Sequence, residues 1–278
     1  MRLNPIHLLL PLCACLPAVA AETPWQTVAP DVSVRLISSG QVTASGKALV
    51  ALEIDMPETT KTYWRVPGES GLPVDLDFSA SNGVEAYTML WPYPTRETKS
   101  GLLDYVYYGH TILPIELDLS GSDGVVDVMA TLGICSEICV PAQLRLNLPI
   151  AGNAPDAPNS LRIKQALAEV PIEWKENEEP LGSVSLVPGT AAIAIGDVHD
   201  MVDPDSLIAA MPEGEPLFGA PQKSPHSDLV MLPILGKSDN SALDGMDVEV
   251  TFMTDMGAYV VSRTIEVGDA DSDAEQGQ

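Results

Sequence analysis

Two cysteines with three residues between them, Cys135 and Cys139, are the residues of this sequence best suited to chemistry. The other two cysteines, Cys13 and Cys15, lie close to the N-terminus. A thiolate can attack a disulfide, close a bridge with a neighbouring thiol or bind a metal ion. From the residues alone, a structural bridge and a redox couple both remain open for the Cys135 and Cys139 pair.

The spacing of the pair sets a geometric condition on the chain between them. Residues four apart on one strand lie about 13 Å from each other, whereas a disulfide needs Cα atoms about 4.4–6.8 Å apart. We therefore expect a tight hairpin in which Ser136, Glu137 and Ile138 form the turn. A ring this small stabilises a fold by only about 2 kcal/mol, which favours disulfide exchange as its role.

The charges near the pair favour a passive electron carrier over a strong nucleophile. Glu137 disfavours a thiolate, and no Lys, Arg or His lies within three residues of either cysteine. Two cysteines without a neighbouring His pair fall short of the four ligands of a zinc site. Copper binding by the cysteines, His110 and Met residues is conceivable, but the Met residues are scattered and more typical of cores. We expect neither a metal nor a cofactor.

The first 21 residues have the pattern of a secretory signal peptide. Arg2 is followed by an apolar run from Ile6 to Leu16 and by small residues at 18–21. A membrane-spanning helix needs about 20 apolar residues, and two prolines interrupt this stretch. Lipidation at Cys13 fits its surroundings poorly. We expect cleavage before Glu22 and export to the periplasm, where disulfides persist.

Composition limits the class of protein and of partner. A chain of 278 residues with 45 % hydrophobic content can form one large or two ordinary domains without disulfide staples. The formal net charge of -25 excludes nucleic acid and anionic membrane surfaces as partners.

Alternating apolar and polar residues indicate an all-β first domain over residues 22–150, a sandwich of about seven strands. The clearest runs are Val32 to Leu36, Ala48 to Ile54, His110 to Leu119, Val125 to Leu132 and Gln143 to Ile150. Residues 151–182 are predicted to be a linker that contains a short helix. We expect Asn159 or Ser160 to cap this helix and the helix to end before Pro171.

Short apolar runs resume after the linker and indicate a second, smaller β-rich domain over residues 183–267. They are Val184 to Val187, Ala191 to Ile195, Leu229 to Leu235, Val248 to Met253 and Tyr259 to Ile265. Residues 268–278 are acidic and almost free of apolar side chains, so we expect a disordered tail.

Four ordered blocks of the first domain resemble the N-terminal periplasmic domain of the DsbD/ScsB thiol:disulfide interchange reductases. The blocks are TYWRVPGESGLP (Thr62 to Pro73), LWPYPTR (Leu90 to Arg96), YVYYGHTILPI (Tyr105 to Ile115) and ICSEICVPA (Ile134 to Ala142). The likeness extends over about Pro24 to Ile150 and is closest to the ScsB branch, which is linked to copper tolerance.

The resemblance implies an immunoglobulin-like sandwich whose Cys135 and Cys139 relay electrons by disulfide exchange. An aromatic cap loop over the disulfide would fall on Tyr107, Tyr108 and Gly109, and Tyr63 and Trp64 would match residues lining the site. The same aromatic side chains could instead belong to the sandwich core or pack on a strand face. These assignments follow from the resemblance alone.

Two charged residues near these blocks have competing interpretations. Arg65 is expected to pair with a carboxylate as a structural link rather than to take part in catalysis. His110, beside the proposed cap, could assist proton transfer or be a plain surface histidine.

We therefore expect a periplasmic protein that relays electrons to or from thioredoxin-fold periplasmic proteins. No segment of the sequence resembles the membrane domain or the thioredoxin-like domain of the full-length reductases, so a separate membrane-embedded thiol reductase is the expected other partner. The alternative is a non-enzymatic, secreted binding module for a protein or copper, in which the disulfide is structural.

Overall fold

The computed structural model describes residues 21–152, 155–224, 229–236 and 240–267. The predicted signal peptide, apart from Ala21, and the predicted acidic tail at 268–278 lie outside the described residues.

The strands of the first domain correspond to the alternating runs noted in the sequence. Most of these strands are longer than the predicted runs. Its strands are β1 (Gln26–Ala29), β2 (Val32–Val42), β3 (Lys47–Asp55), β4 (Lys61–Gly68), β5 (Asp75–Asp77), β6 (Val84–Met89), β7 (Thr95–Lys99), β8 (Leu102–Tyr108), β9 (Thr111–Leu119), β10 (Asp123–Cys135) and β11 (Cys139–Ala151).

These strands form two sheets that pack face to face. One sheet has the order β1-β2-β3-β9-β6, and the other has the order β11-β10-β4-β8-β7 with β5 paired to β10. Alternate residues of each strand point into a shared apolar core, because successive side chains of a strand face opposite sides of its sheet. The predicted all-β, immunoglobulin-like sandwich is confirmed.

The linking helix, α1 (Ala157–Leu167), begins earlier than the sequence analysis predicted. The cap is Asp156, whose side chain accepts a 2.8 Å hydrogen bond from the backbone N–H of Asn159. The prediction that Asn159 or Ser160 caps the helix is therefore wrong. An aspartate followed by proline in the first turn is a strong start for a helix. Ile163 of α1 is buried in a small cluster with Ile37 and Ala51 of the first sheet.

No helix among the described residues has both the length and the apolar character needed to cross a membrane.

The second domain is β-rich and smaller, as predicted. Its strands are β12 (Ile172–Glu173), β13 (Val184–Leu186), β14 (Ala192–Ile195), β15 (Ile208–Ala210), β16 (Leu217–Phe218), β17 (Gln222–Lys223), β18 (Val230–Leu235), β19 (Asp247–Thr254) and β20 (Gly257–Val267), with short 3₁₀ helices at Pro204–Ser206 and Ser241–Leu243. The main strand order is β15-β19-β20-β13-β14-β18-β16. Phe252 and Ile265 lie in its apolar core.

The two domains touch directly as well as through the helix. Ile208 and Ala210 of β15 pack into the core of the first domain. The Arg96 guanidinium donates hydrogen bonds to the backbone carbonyl oxygens of Asp205, at 2.6 Å, and Leu207, at 2.5 Å. The Tyr93 hydroxyl donates to the carbonyl oxygen between them, that of Ser206.

Candidate redox site

A long hairpin presents the two cysteines at its tip. Strands β10 and β11 pair in unbroken register from Asp123 opposite Ala151 to Cys135 opposite Cys139. The chain reverses over residues 136–138, and a disulfide joins the two cysteines. The predicted three-residue turn is confirmed. Because the two strands are directly hydrogen-bonded neighbours, the sulfur atoms face each other on one side of the sheet.

The two cysteines differ in their access to solvent. Cys135 lies on β10, inside the sheet, and only 7 % of it is exposed. Cys139 begins β11, the edge strand, and is exposed. Ile138 precedes it in the turn and is 75 % exposed. Cys139 is therefore the more accessible cysteine of the pair.

A row of side chains continues from the disulfide across the outer face of the same sheet. Lys61 of β4 lies directly opposite Cys135, and Tyr108 of β8 lies directly opposite Lys61. Directly opposed residues share a face of a sheet. Tyr63, Val106 and Cys135 form a small buried cluster there, and Tyr108 packs against it.

Tyr63 is the side chain that contacts the disulfide. Its hydroxyl lies 3.5 Å from Sγ of Cys139, and 1 % of the residue is exposed. Its ring rests on two glycines: a Cβ built on Gly71 would lie 2.3 Å from the ring, and one on Gly133 would lie 2.9 Å from it. Any other residue at these positions would push the ring away. Burial raises the pKa of Tyr63 in spite of the nearby Lys61 ammonium, so the hydroxyl keeps its proton at neutral pH.

The segment at 69–73 lies over the ring of Tyr63 and is anchored by hydrogen bonds to β8. The Glu69 carboxylate accepts from the backbone N–H of Leu103 at 2.7 Å. The Ser70 hydroxyl donates to the carboxylate of Asp104 at 2.7 Å. Leu72, next in this segment, approaches Gly133 and is 40 % exposed. The segment belongs to the first of the four sequence blocks, in which the sequence analysis assigned it no role.

Lys61 is buried among acidic and phenolic groups. Its ammonium binds the carboxylate of Glu97 and lies 3.2 Å from that of Asp104. It also lies 5.4 Å from the centre of the Tyr63 ring, an arrangement that favours a cation. The Tyr108 hydroxyl donates a 2.5 Å hydrogen bond to Glu97. Burial alone would raise the pKa of Glu97, but the hydrogen bonds from Lys61 and Tyr108 outweigh it and lower that pKa.

Lys61, Glu97 and Asp104 are the residues of this face that the sequence analysis missed. No cation lies close to the cysteines along the chain. In the folded structure, however, strand pairing places Lys61 opposite Cys135. The one hint in the sequence is that Lys61 and Tyr63 are two positions apart, a spacing that places both side chains on one face when the segment is a strand.

Two of the proposed site-lining aromatic residues lie elsewhere. Trp64 and Tyr107 are buried in the sandwich core, on the opposite face of β4 and β8 from Tyr63 and Tyr108. The Tyr107 hydroxyl donates to the carbonyl oxygen of Pro92 at 2.7 Å. The structure therefore does not bring Trp64 or Tyr107 to the disulfide, because adjacent residues of a strand point to opposite faces.

The third residue of the predicted cap, Gly109, follows β8 with a φ of 66°. A Cβ at this position would lie 2.7 Å from the Glu58 carboxylate. The glycine therefore allows both the left-handed conformation and the close approach of Glu58.

His110 belongs to an ion cluster that forms around the buried carboxylate of Glu53, between the first sheet and α1. Its Nε2 lies 3.0 Å from Oε1 of Glu53, whose side chain is 1 % exposed. Arg35 and Arg162 bind the same carboxylate at 2.6 and 2.9 Å. Burial would raise the pKa of Glu53, but hydrogen bonds from Arg35 and His110 and the nearby Arg162 charge lower it. The cluster ties α1 to the sandwich.

Arg65 forms an ion pair with Glu249 of the second domain. This pair is the structural link that the sequence analysis favoured for Arg65.

Within the described ranges, no group of three or more His, Cys, Asp or Glu side chains has an arrangement suited to a metal ion.

The comparisons with known proteins agree with this fold. Residues 33–150 match the family model of the thiol:disulfide interchange protein DsbD, N-terminal. The crystal structure of the N-terminal periplasmic domain of ScsB from Proteus mirabilis superposes with a TM-score of 0.70 at 22 % identity, covering 90 % of this chain and 100 % of that one.

Other matches are distant. The titin A168169 structure matches at 12 % identity over 82 % of this chain and 94 % of that one, with a TM-score of 0.18, which carries no argument about fold. Among curated proteins, no sequence matches. Residues 33–150 therefore match the N-terminal domain of the DsbD thiol:disulfide interchange family, and the chain shares its fold with the ScsB domain structure.

Proposed function

We propose that this protein exchanges disulfides with thioredoxin-fold proteins in the periplasm through the Cys135 and Cys139 couple. The observation that carries the proposal is a cross-strand disulfide at a hairpin tip between a buried and an exposed cysteine, in a region that matches the N-terminal domain model of the thiol:disulfide interchange protein DsbD. The predicted signal peptide supports the compartment.

The difference in exposure assigns the two sulfurs different steps. A thiolate of the electron donor attacks Sγ of Cys139, forming a mixed disulfide and releasing Cys135 as a thiolate. The second thiolate of the donor then attacks the donor's own sulfur in the mixed disulfide. This step releases Cys139 as a thiolate and leaves the donor as a disulfide. Two electrons have then passed to the cysteine pair.

Delivery to an acceptor uses the same steps in the opposite order. The Cys139 thiolate attacks the disulfide of the acceptor and forms a mixed disulfide, which releases one acceptor thiolate. Cys135 then attacks Sγ of Cys139, closes the cross-strand disulfide again and releases the second acceptor thiolate. The acceptor thiolates take up the two protons that the cysteine thiols lose. The direction of flow depends on the potentials of the partners.

The surroundings of Cys139 suit a protein partner. Leu72, in the segment over Tyr63, and Ile138, in the turn, are large apolar residues that are 40 % and 75 % exposed. Apolar groups around a reactive sulfur allow a partner to exclude water from the mixed disulfide. We propose a separate membrane-embedded thiol reductase and thioredoxin-fold periplasmic proteins as the partners.

The test is to trap the mixed disulfide with a purified thioredoxin variant that keeps only the attacking cysteine of its active-site pair, activated as a mixed disulfide with thionitrobenzoate. In Cys135→Ser, the Cys139 thiolate displaces thionitrobenzoate and neither protein has a second cysteine to break the new bond, so we expect a reducible adduct on non-reducing gels. Cys139→Ser leaves only the buried Cys135, and we expect at least tenfold less adduct. The double variant is the control. Equal adducts from both single variants, or none from either, would contradict the proposal.

A second measurement separates exchange from the binding-module alternative. Exchange-active pairs have reduction potentials of about -270 to -120 mV, whereas structural disulfides of secreted proteins lie below about -300 mV. We expect a value in the upper range when the protein is equilibrated against graded thiol buffers. A value below the structural limit would favour the alternative.

A further inference from the structure

A buried cation stands beside the disulfide, and the exchange steps alone do not require it. Lys61 is 7 % exposed and lies directly opposite Cys135. Lysine is rarely buried unless it is paired, and here Glu97 and Asp104 hold its ammonium. These two carboxylates come from β7 and β8, so three strands cooperate to hold one charge on this face.

A continuous path of contacts joins this charge to the exposed sulfur. The Lys61 ammonium lies 5.4 Å from the centre of the Tyr63 ring. The hydroxyl of that ring lies 3.5 Å from Sγ of Cys139. In the oxidised protein the sulfur is only a weak acceptor. Once the disulfide opens, the Cys139 thiolate becomes a charged acceptor for the same hydroxyl, and charge-assisted hydrogen bonds are the stronger ones.

Most of the other charged groups around the site are acidic. They are Glu97 on β7, Asp104 on β8, Glu58 against Gly109, Glu69 in the segment over Tyr63, and Glu137 in the turn. Lys99, at the end of β7, is an exposed cation whose charge acts on Glu97. The phenol groups that face the same region are those of Tyr63 and Tyr108. Lys61 is therefore the buried cation among mainly acidic groups on this face.

We propose that Lys61 is a positioning residue that, acting through Tyr63, stabilises the thiolate of Cys139 and so sets the pH range in which exchange runs. This inference rests on the proposed function, but it concerns the ionisation of the thiol, which can be measured without a partner.

The sign of the effect follows from the charges. Replacing Lys61 by a neutral residue leaves Glu97 and Asp104 without their cation, so both disfavour a thiolate nearby. A unit charge at such a separation, in partly buried surroundings, changes a pKa by about one unit. The thiolate fraction near neutral pH then falls about tenfold. Each remaining thiolate is more nucleophilic, so the exchange rate falls only about threefold.

The experiment measures the rate of iodoacetamide alkylation against pH, with Cys135→Ser as the reference variant so that Cys139 alone reacts. We expect Lys61→Met to move the midpoint of the profile up by about one pH unit. Lys61→Arg should restore most of the shift, because it keeps the charge. Glu97→Gln should move the midpoint down, because it removes an opposing charge.

The chain offers a matched control in Lys47. It also lies between two carboxylates, those of Glu116 and Asp118, but on the other sheet and 41 % exposed. Lys47→Met should leave the alkylation profile unchanged. Near-ultraviolet circular dichroism of each variant checks that the fold is retained.

Three outcomes would overturn the proposal. One is a Lys61→Met profile that coincides with the reference in a folded protein, and another is a Glu97→Gln shift in the same direction as Lys61→Met. The third is a Lys61→Met shift of full size in the presence of Tyr63→Phe, which would show that Tyr63 is not the route. If the shifts appear but thioredoxin forms no adduct, the proposed function fails and the assignment of Lys61 stands.

Discussion

The two faces of strands β4 and β8 use the same kinds of residue for different purposes. On the inner face, Trp64 and Tyr107 are buried in the sandwich core. On the outer face, Tyr63 and Tyr108 surround Lys61 and approach the disulfide. The two sets differ by a single position along each strand.

The comparison teaches that burial alone does not distinguish an aromatic residue of the sandwich core from one that contacts the disulfide. Tyr63 and Trp64 are 1 % and 2 % exposed. What differs is the neighbour: Trp64 packs edge-on against Tyr105 at 5.7 Å, whereas the Tyr63 hydroxyl lies against a sulfur atom. Substitutions on the inner face should therefore change stability, and those on the outer face should change ionisation.

The largest expected effect is that of Trp64→Ala on the inner face. It opens a cavity in the core, and such changes lower the free energy of unfolding by about 3–5 kcal/mol. Urea denaturation measures the loss. Tyr63→Phe is the outer-face control, which removes one hydroxyl and should cost less than about 1.5 kcal/mol. Equal losses in the two variants would break the distinction between the faces.

A smaller effect is expected for Tyr107→Phe, which leaves the carbonyl oxygen of Pro92 without its 2.7 Å hydrogen bond inside the core. An unsatisfied buried acceptor costs about 1–3 kcal/mol. The matched control is Tyr87→Phe, whose hydroxyl also donates to a backbone carbonyl, that of Leu76 at 2.8 Å, but on a residue that is 40 % exposed. We expect a clearly larger fall in the urea midpoint for Tyr107→Phe, with adduct formation unchanged. A loss of the thioredoxin adduct in this variant would indicate that Tyr107 belongs to the redox site.

The smallest effect should be that of Tyr108→Phe, and it should depend on pH. Burial first, and then the hydrogen bond to Glu97, raise the pKa of Tyr108 to about 12, so it donates throughout the acidic range. Glu97 has a lowered pKa, so its contribution to stability is present above its unfolded pKa and is lost as pH falls through the folded value.

Removing the Tyr108 donor should therefore cost under about 1.5 kcal/mol at neutral pH, and this difference from the parent should vanish in acid. Urea midpoints measured from pH 7 down to about pH 3 would show the convergence. A difference that widens as the pH falls would mean that Glu97 is not the partner affected.

The sequence was sufficient to predict the parts of the fold that depend on local pattern. Alternation along Val125 to Leu132 predicts a strand, and the span between Cys135 and Cys139 requires a turn, so the hairpin followed from spacing alone. The start of α1 was misplaced because Asn159 and Asp156 are both good capping residues. Asp156 is the capping residue, whereas Asn159 is buried and its side chain donates a hydrogen bond to the backbone carbonyl oxygen of Ala21.

The candidate site was predictable only in part, because its geometry comes from pairing between distant strands. No local sequence pattern relates Lys61 to Cys135. The two residues are neighbours only because β4 pairs with β10. Sequence likeness placed Tyr63 and Trp64 together, but the face that each occupies is set by the register of β4 in the sheet. A shift of one residue would exchange their positions.

The contact between the two domains has a consequence for sequence divergence. Arg96 and Tyr93 recognise the segment Asp205 to Leu207 through its main-chain carbonyl oxygens. Every amino acid supplies such an oxygen, so these hydrogen bonds by themselves do not restrict the side chains of the segment. Among relatives that keep this docking, we expect variation to be tolerated at the exposed Asp205 and restricted at the two donors, while burial restricts Ser206 and Leu207.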